Sequence, residues 1–160
     1  MSNLYSDEVA PILGFSGEYR FLSNFWKCWV TFDGKMYGST EHAYQAAKFQ
    51  VDDDRFPDNW KTRDYIRFAK TPNDAKKLGQ GPGKRDDWEE VKEDFMREFL
   101  MQKFSQPELM EQLLATGDAY LEETNHWGDR YWGVDGTGKN RLGYLLMEIR
   151  RDLRQIAANR

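Results

Sequence analysis

With one cysteine, Cys28, this 160-residue chain cannot form an internal disulfide. It is expected to rest on its apolar core, in a reducing compartment. Histidine is nearly as scarce: His42 and His126 are the only two, and neither sits in an HExxH or Cys/His pattern, so no catalytic metal is expected. No stretch approaches the roughly 18 apolar residues that would cross a bilayer. The opening MSNLYSDEVAPILGF carries acidic residues where an export signal needs a basic patch and then an apolar run, so a cytoplasmic location is expected. There is no basic block either. The 27 acidic residues nearly balance the 23 basic ones, for a net charge of -4, and such a surface does not attract long nucleic acid by default. Internal repeats and low-complexity linkers are missing too, which leaves a single domain over residues 1–160, with 1–10 as a flexible terminus.

What the chain has in quantity is aromatic residues: six Trp, eight Tyr and ten Phe. These are enough to fill a core and also line a ligand cleft. Ile12 to Phe15, Trp26 to Phe32 and Lys35 to Tyr37 have strand composition, and Asp33-Gly34 between the last two suits a tight hairpin turn. A small antiparallel sheet near the N-terminus follows. From Ser39 or Thr40 the pattern turns helical through Phe49, and a further helix is expected over Trp60 to Ala69. Thr71-Pro72-Asn73-Asp74 reads as a cap followed by a short helix that stops at Gly79. Beyond the loop Gln80 to Arg85, the positions Trp88, Val91, Phe95 and Phe99 form an apolar helical face. Ser105 to Glu108 has the form of a capping box for the next helix, which runs to Gly117. Leu142, Leu145, Leu146, Ile149 and Leu153 mark the last. The expected fold class is mainly α (α+β): a compact helical domain with a small antiparallel sheet.

Three polar stretches do not reduce to periodic packing. Gly17 to Phe25 places Arg20, Ser23 and Asn24 among aromatics, a loop that can grip a planar base and hydrogen-bond a sugar, or merely satisfy its own backbone. In Ser39 to Phe49 a helix puts Glu41, Gln45 and Lys48 on one face, either as a site for a ligand carrying ribose and phosphate or as a solvated ridge. Glu41 falls in the first helical turn, where backbone dipoles favour an ionised carboxylate. A carboxylate there suits a base toward water, or a countercharge to a ribose developing positive charge. Asn125 to Gly143 is glycine-rich and can expose backbone amides to an anion. It lacks the GxxxxGK[ST] spacing of a Walker A loop, because Asn140 follows Lys139. Asp129 and Asp135 are the candidate second carboxylates in the two-group arrangement that opens a glycosidic bond, and spacing leaves the choice between them open. Cys28 alternates with Val30 and Phe32 on an apolar face and is expected to be structural.

The segments FLSNF (21–25), STEHAYQAAKF (39–49), RDDWEEVK (85–92), MQKF (101–104), DRYWG (129–133) and GKNRLGYLLMEIR (138–150) resemble, in order, the motifs of the NADAR family, also called YbiA-like or DUF1768. The resemblance implies a compact, mostly helical fold and N-glycosidase activity without a cofactor. Branches of the family act on phosphoribosylaminopyrimidine intermediates of riboflavin synthesis or remove ADP-ribose from modified guanine. It favours Glu41 and Asp129 as active-site carboxylates, with Asn24, Gln45, Lys48, Trp88, Trp132 and Asn140 around the ligand. Lys48, with Arg20 or Lys84, would neutralise phosphate, and Trp88 or Trp132 would stack on the base. The expected partner is a small nucleotide-like substrate, ahead of modified guanine in nucleic acid, bound by a monomer or weak homo-oligomer. A module that binds NAD or ADP-ribose without cleaving it is the alternative from another class. The segment VDDDRFPDNWKTRDYIRFAK and the inserted His126-Trp127-Gly128 depart from the enterobacterial pattern of the family, and such loops set which base fits.

Overall fold

The computed structural model describes residues 3–160. The chain is mainly α-helical with little sheet, and it divides into two compact units. One unit is Asn24–Lys103; the other joins the chain up to Ser23 with Phe104–Arg160.

The first unit begins with a hairpin, β2 (Lys27–Phe32) against β3 (Lys35–Ser39), paired antiparallel. Asp33 and Gly34 turn it with φ of 51° and 78°, the pair of positive values that matches the twist of the strands it joins. Along β2, Cys28 and Val30 are buried while Trp29 faces out. Phe32 meets Phe95 and Phe99 edge-on at 5.7 and 5.6 Å.

Helix α1 (Thr40–Ala47) follows at once and is buried on every face. Of the two candidate caps, Ser39 serves: its Oγ accepts from the His42 amide at 3.1 Å. The His42 ring is fastened as well, with Nε2 3.0 Å from the Ala69 carbonyl and Nδ1 2.6 Å from Ser39 Oγ. Helix α2 spans Asn59–Arg67, and α3 spans Pro72–Leu78 with proline in its first turn and Thr71 capping Asp74 at 3.1 Å. Helix α4 (Trp88–Phe104) carries the aromatic face anticipated from its spacing, with Trp88 stacked on Phe95 and Phe95 on Phe99.

In the second unit, β1 (Ile12–Leu13) pairs in parallel with β4 (Leu121–Glu122). The Ile12 segment, expected as a strand, is one over two residues and pairs outside the antiparallel hairpin. A two-residue strand carries no alternation to announce its partner, and the partner lies far along the chain. Gly17–Leu22, expected as a loop, winds into a 3-10 helix. The anticipated capping box at Ser105 is also corrected: α5 (Pro107–Ala115) starts behind Gln106, which makes no side-chain cap. Proline in the first turn has no N–H in need of an acceptor and sets φ unaided.

The final helix, α6 (Arg141–Ala158), buries Leu142, Leu145, Leu146, Ile149 and Leu153. Buried with them is Arg150, which donates to Thr116 Oγ1 and to the Leu4 carbonyl, both at 2.9 Å. Residues 3–10 have little regular structure, yet Leu4 is held by Arg150, and the Ser6 amide donates to Asp118 O at 2.8 Å. No helix among the described residues is long and apolar enough to cross a membrane.

Candidate active site

In the Asn24–Lys103 unit, α1 gathers the polar groups. Glu41 is 7% exposed, and its Oε1 accepts from Gln45 Nε2 at 2.7 Å, the one-turn spacing that brings side chains together on a helix. Its own amide donates to the Asn24 carbonyl at 3.1 Å. Asn24 is itself buried and donates to Met96 Sδ, while its Oδ1 meets no donor. A buried acceptor without a partner is costly, and a ligand hydroxyl or a water would relieve it.

Lys48 lies one turn beyond Tyr44, with Nζ 5.8 Å from the ring centre. Burial draws its pKa below the ordinary lysine value; Glu41 opposes that, and Lys84 and Lys76 reinforce it. Lys48 thus feels two further ammonium groups as well as the carboxylates of Glu41 and Glu89, a mixed field in which a phosphate would offset the positive part. Lys84 is exposed and is set by its backbone: Phe49 and Lys84 form a bridge, and the Arg85 amide donates to Lys48 O at 2.8 Å. Asn59, 3% exposed, clamps the same loop by donating to Gln50 O at 2.9 Å and Gly83 O at 3.1 Å. Trp88, also buried, tilts against Tyr44 with ring centres 5.0 Å apart. The unit thus supplies a carboxylate, an unmet acceptor, lysines and an aromatic pair.

Elsewhere in this unit a concavity of about 240 Å³ is lined by Phe32, Tyr37, Val51 and Trp60. Its cations are already matched, Arg63 by Asp33 at 2.7 Å and Lys35 by Asp64 at 3.4 Å. It is the weaker place for an anion.

In the other unit the loop from Asn125 to Asn140 is folded by its own side chains. Asn125 Oδ1 accepts from the Trp127 and Asp129 amides at 3.3 and 3.1 Å, and its Nδ2 donates to the Asp129 carbonyl at 2.8 Å. Asp129 Oδ1 then accepts from the amides of Tyr131 and Trp132, at 3.1 and 2.9 Å. Asp135 Oδ2 accepts from the Gly128 amide at 2.9 Å. Both aspartates brace the loop, and Trp132 lies edge-on to Tyr131 at 5.0 Å. No group of His, Cys, Asp and Glu among the described residues could hold a metal ion.

A family model described as the NADAR domain matches residues 14–154. The chain belongs to the NADAR family. N-glycosidase YbiA of Escherichia coli (strain K12) is 40% identical over 158 residues, covering 96% of this chain and 93% of that protein. A riboflavin biosynthesis protein of Vibrio vulnificus is 37% identical over 146 residues, covering 87% of this chain but 37% of its own greater length. The NMR structure of the E. coli protein YbiA superposes with a TM-score of 0.75 at 35% identity, covering 99% of this chain and 97% of that one.

The site residues expected from the sequence fall into two groups. Asn24, Glu41, Gln45, Lys48, Lys84 and Trp88 belong to one unit; Arg20, Ser23, Asp129, Trp132 and Asn140 belong to the other. Arg20 is exposed on the 3-10 helix, and its carbonyl accepts from the Ser23 amide. Asn140 is 1% exposed at φ 51°. Its Nδ2 donates to Tyr120 Oη at 3.0 Å and Leu121 O at 2.9 Å, and its Oδ1 accepts from the Glu123 amide at 3.0 Å. Those bonds tie the start of α6 to β4. Asn140→Ala is accordingly expected to lower stability by about 3 kcal/mol, through unmet buried groups and left-handed strain, as read from the denaturant midpoint.

Lys76, Asn59 and Asn125 shape these sites without having stood out in the sequence. Lys76 belongs to an ordinary charged turn of α3, and the two asparagines act on carbonyls and amides that only folding brings near.

Proposed function

We propose that this chain is a hydrolase that cleaves the C–N bond between ribose and a nitrogen of a small nucleotide-like substrate. The substrate class best supported is a phosphoribosylaminopyrimidine intermediate of riboflavin biosynthesis. The observation that carries this reading is the buried Glu41 carboxylate, clamped by Gln45 and within the electrostatic reach of Lys48. The names of the relatives, N-glycosidase and riboflavin biosynthesis protein, support the reaction and the substrate class.

In the reaction, water oxygen bonds to C1 of the ribose as the C1–N bond breaks, and the electron pair leaves with nitrogen. Glu41 orients that water and takes one of its protons, which returns through solvent to the departed nitrogen, and a carboxylate also steadies the oxocarbenium-like charge on the sugar. The unmet Oδ1 of Asn24 suits a sugar hydroxyl. Lys48 and Lys84 balance the phosphate, and Tyr44 and Trp88 offer aromatic surface to the base. Asp129 and Trp132 are carried as further site residues on the resemblance of their motifs, with Asp129 as the second carboxylate; Arg20 and Ser23 are carried from the polar composition of their own segment.

The test is a product assay with 5-amino-6-ribosylaminouracil 5'-phosphate, its deaminated relative, ADP-ribosylated guanine and NAD. Ribose phosphate released from the first pair is the expected result. ADP-ribose released from guanine instead would replace the substrate class while keeping the reaction. Tight binding of every compound with no product would sink the hydrolase reading in favour of a sensing module.

A further inference from the structure

Gly79 closes α3 in ordinary right-handed geometry, φ -68° and ψ -6°. Glycine after a helix is usually explained by a left-handed φ that other residues resist. Here the backbone gives no such reason, and alanine would fit the same angles while restricting the unfolded chain. The reason is space. A methyl carbon at position 79 would stand 1.8 Å from Gln45 Oε1, 2.7 Å from its Cδ and 3.1 Å from its Cβ. The end of the side chain could in principle swing away, but Gln45 is 4% exposed and its Nε2 is bonded to Glu41. Its Oε1 has no hydrogen-bond partner, so packing against Gly79 is what that end of the amide rests on.

We propose that Gly79 is a positioning residue of the active site: its missing side chain leaves the room in which Gln45 reaches Glu41 and fixes the direction of the carboxylate. This inference rests on the reading of Glu41 as the group that handles water. Displacing Gln45 would leave Glu41 with another orientation, and errors of about 1 Å at a reacting group can lower rates about 100-fold. Gly81 provides a control in the same segment, since a methyl there would meet only the Leu78 carbonyl at the ordinary distance of 3.5 Å.

The experiment is a cycle of Gly79→Ala and Gln45→Ala, singly and together, with Gly81→Ala and Glu41→Gln alongside. Each is assayed for kcat and KM on 5-amino-6-ribosylaminouracil 5'-phosphate, or on ADP-ribosylated guanine if that is the compound turned over. Gly79→Ala is expected to lower kcat about 10- to 100-fold with little change in KM, and Gly81→Ala to leave both unchanged. With Gln45 already alanine the contacts at 1.8 and 2.7 Å are gone and only the 3.1 Å approach of the two Cβ atoms remains, so Gly79→Ala should cause a much smaller further loss than it does in the parent. Wild-type kcat in Gly79→Ala would overturn the inference. So would an equal loss in both backgrounds, or failure to fold in both, since either would make Gly79 a residue of the fold rather than of the carboxylate. Full activity of Glu41→Gln would remove the underlying reading, whereas an inactive Glu41→Gln beside a normal Gly79→Ala would fault the positioning role alone.

Discussion

Glu41→Gln is expected to lower kcat by about 100- to 10,000-fold, the range by which a positioned acid or base accelerates its step, while the protein stays folded. The substitution keeps the volume of the side chain and removes its charge. Gln45 Nε2 now donates to Glu41 Oε1 at 2.7 Å, and the carbonyl of a glutamine at 41 can accept the same bond, so the α1 clamp survives. The loss of a favourable charge at the start of α1 should be worth about 0.3–1 kcal/mol, partly offset because a carboxylate 7% exposed no longer has to be desolvated. Thermal midpoints near the parent's, together with a collapsed kcat, would assign the charge to the chemistry. A variant that turned over at the parent's rate would show that the carboxylate is not the base. A rise in KM alone would make Glu41 a binding group, because a base that acts in the transition state shows itself in kcat.

The parts of this protein that could be read from sequence are those whose causes are local. Asp33-Gly34 made the hairpin legible because the positive φ at both positions is a property of those two residues and the strands beside them. Thr71 and Pro72 did the same for α3, and the apolar spacing of Trp88, Phe95 and Phe99 for α4. Helix α1 is where periodicity failed. Glu41, Gln45 and Lys48 read equally as a ridge in water or a site, yet the helix is buried throughout, with Thr40, Glu41, His42 and Gln45 inside as well as its alanines. A helix surrounded by protein needs no apolar stripe if most of its polar groups find partners, and the His42 ring, Glu41 Oε1 and Gln45 Nε2 do so, although Gln45 Oε1 does not. The parallel pairing of β1 with β4 was hidden for the opposite reason: its hydrogen bonds are backbone to backbone and ask little of the side chains. Gly79 shows a third kind of opacity. In sequence it is a helix stop, and only the distance to Gln45, on another helix, reveals what its bareness accommodates.

Lys103 is expected to make the stability of the protein rise with pH between about 8 and 10.5. Its side chain is wholly buried near the end of α4, and desolvation draws its pKa from 10.5 to about 8, with the nearby Cys28 thiol pulling the other way. Within that window the unfolded chain binds the proton and the folded chain does not, so raising the pH favours folding. Below pH 8 both states are charged, and the penalty for the buried ammonium is fully present. The gap between the two values corresponds to about 3 kcal/mol. Other groups tilt the raw curve: burial raises the pKa of Cys28, Tyr37 and Tyr120, and each of these loses stability as pH climbs through its range. Comparison with Lys103→Met removes the part due to Tyr37 and Tyr120, which do not feel Lys103, and leaves only the change in Cys28, whose pKa the Lys103 charge lowers. Methionine keeps the chain length and apolar stem, and whatever its packing adds or takes away is constant with pH. The difference in unfolding free energy between variant and parent should therefore shift in the parent's favour by about 3 kcal/mol from pH 7.5 to 10.5, measured by denaturant unfolding at each pH. A difference that stays flat over the interval would mean that Lys103 keeps its proton in the folded protein as readily as in water, and that burial at the end of α4 is matched by interactions stronger than desolvation.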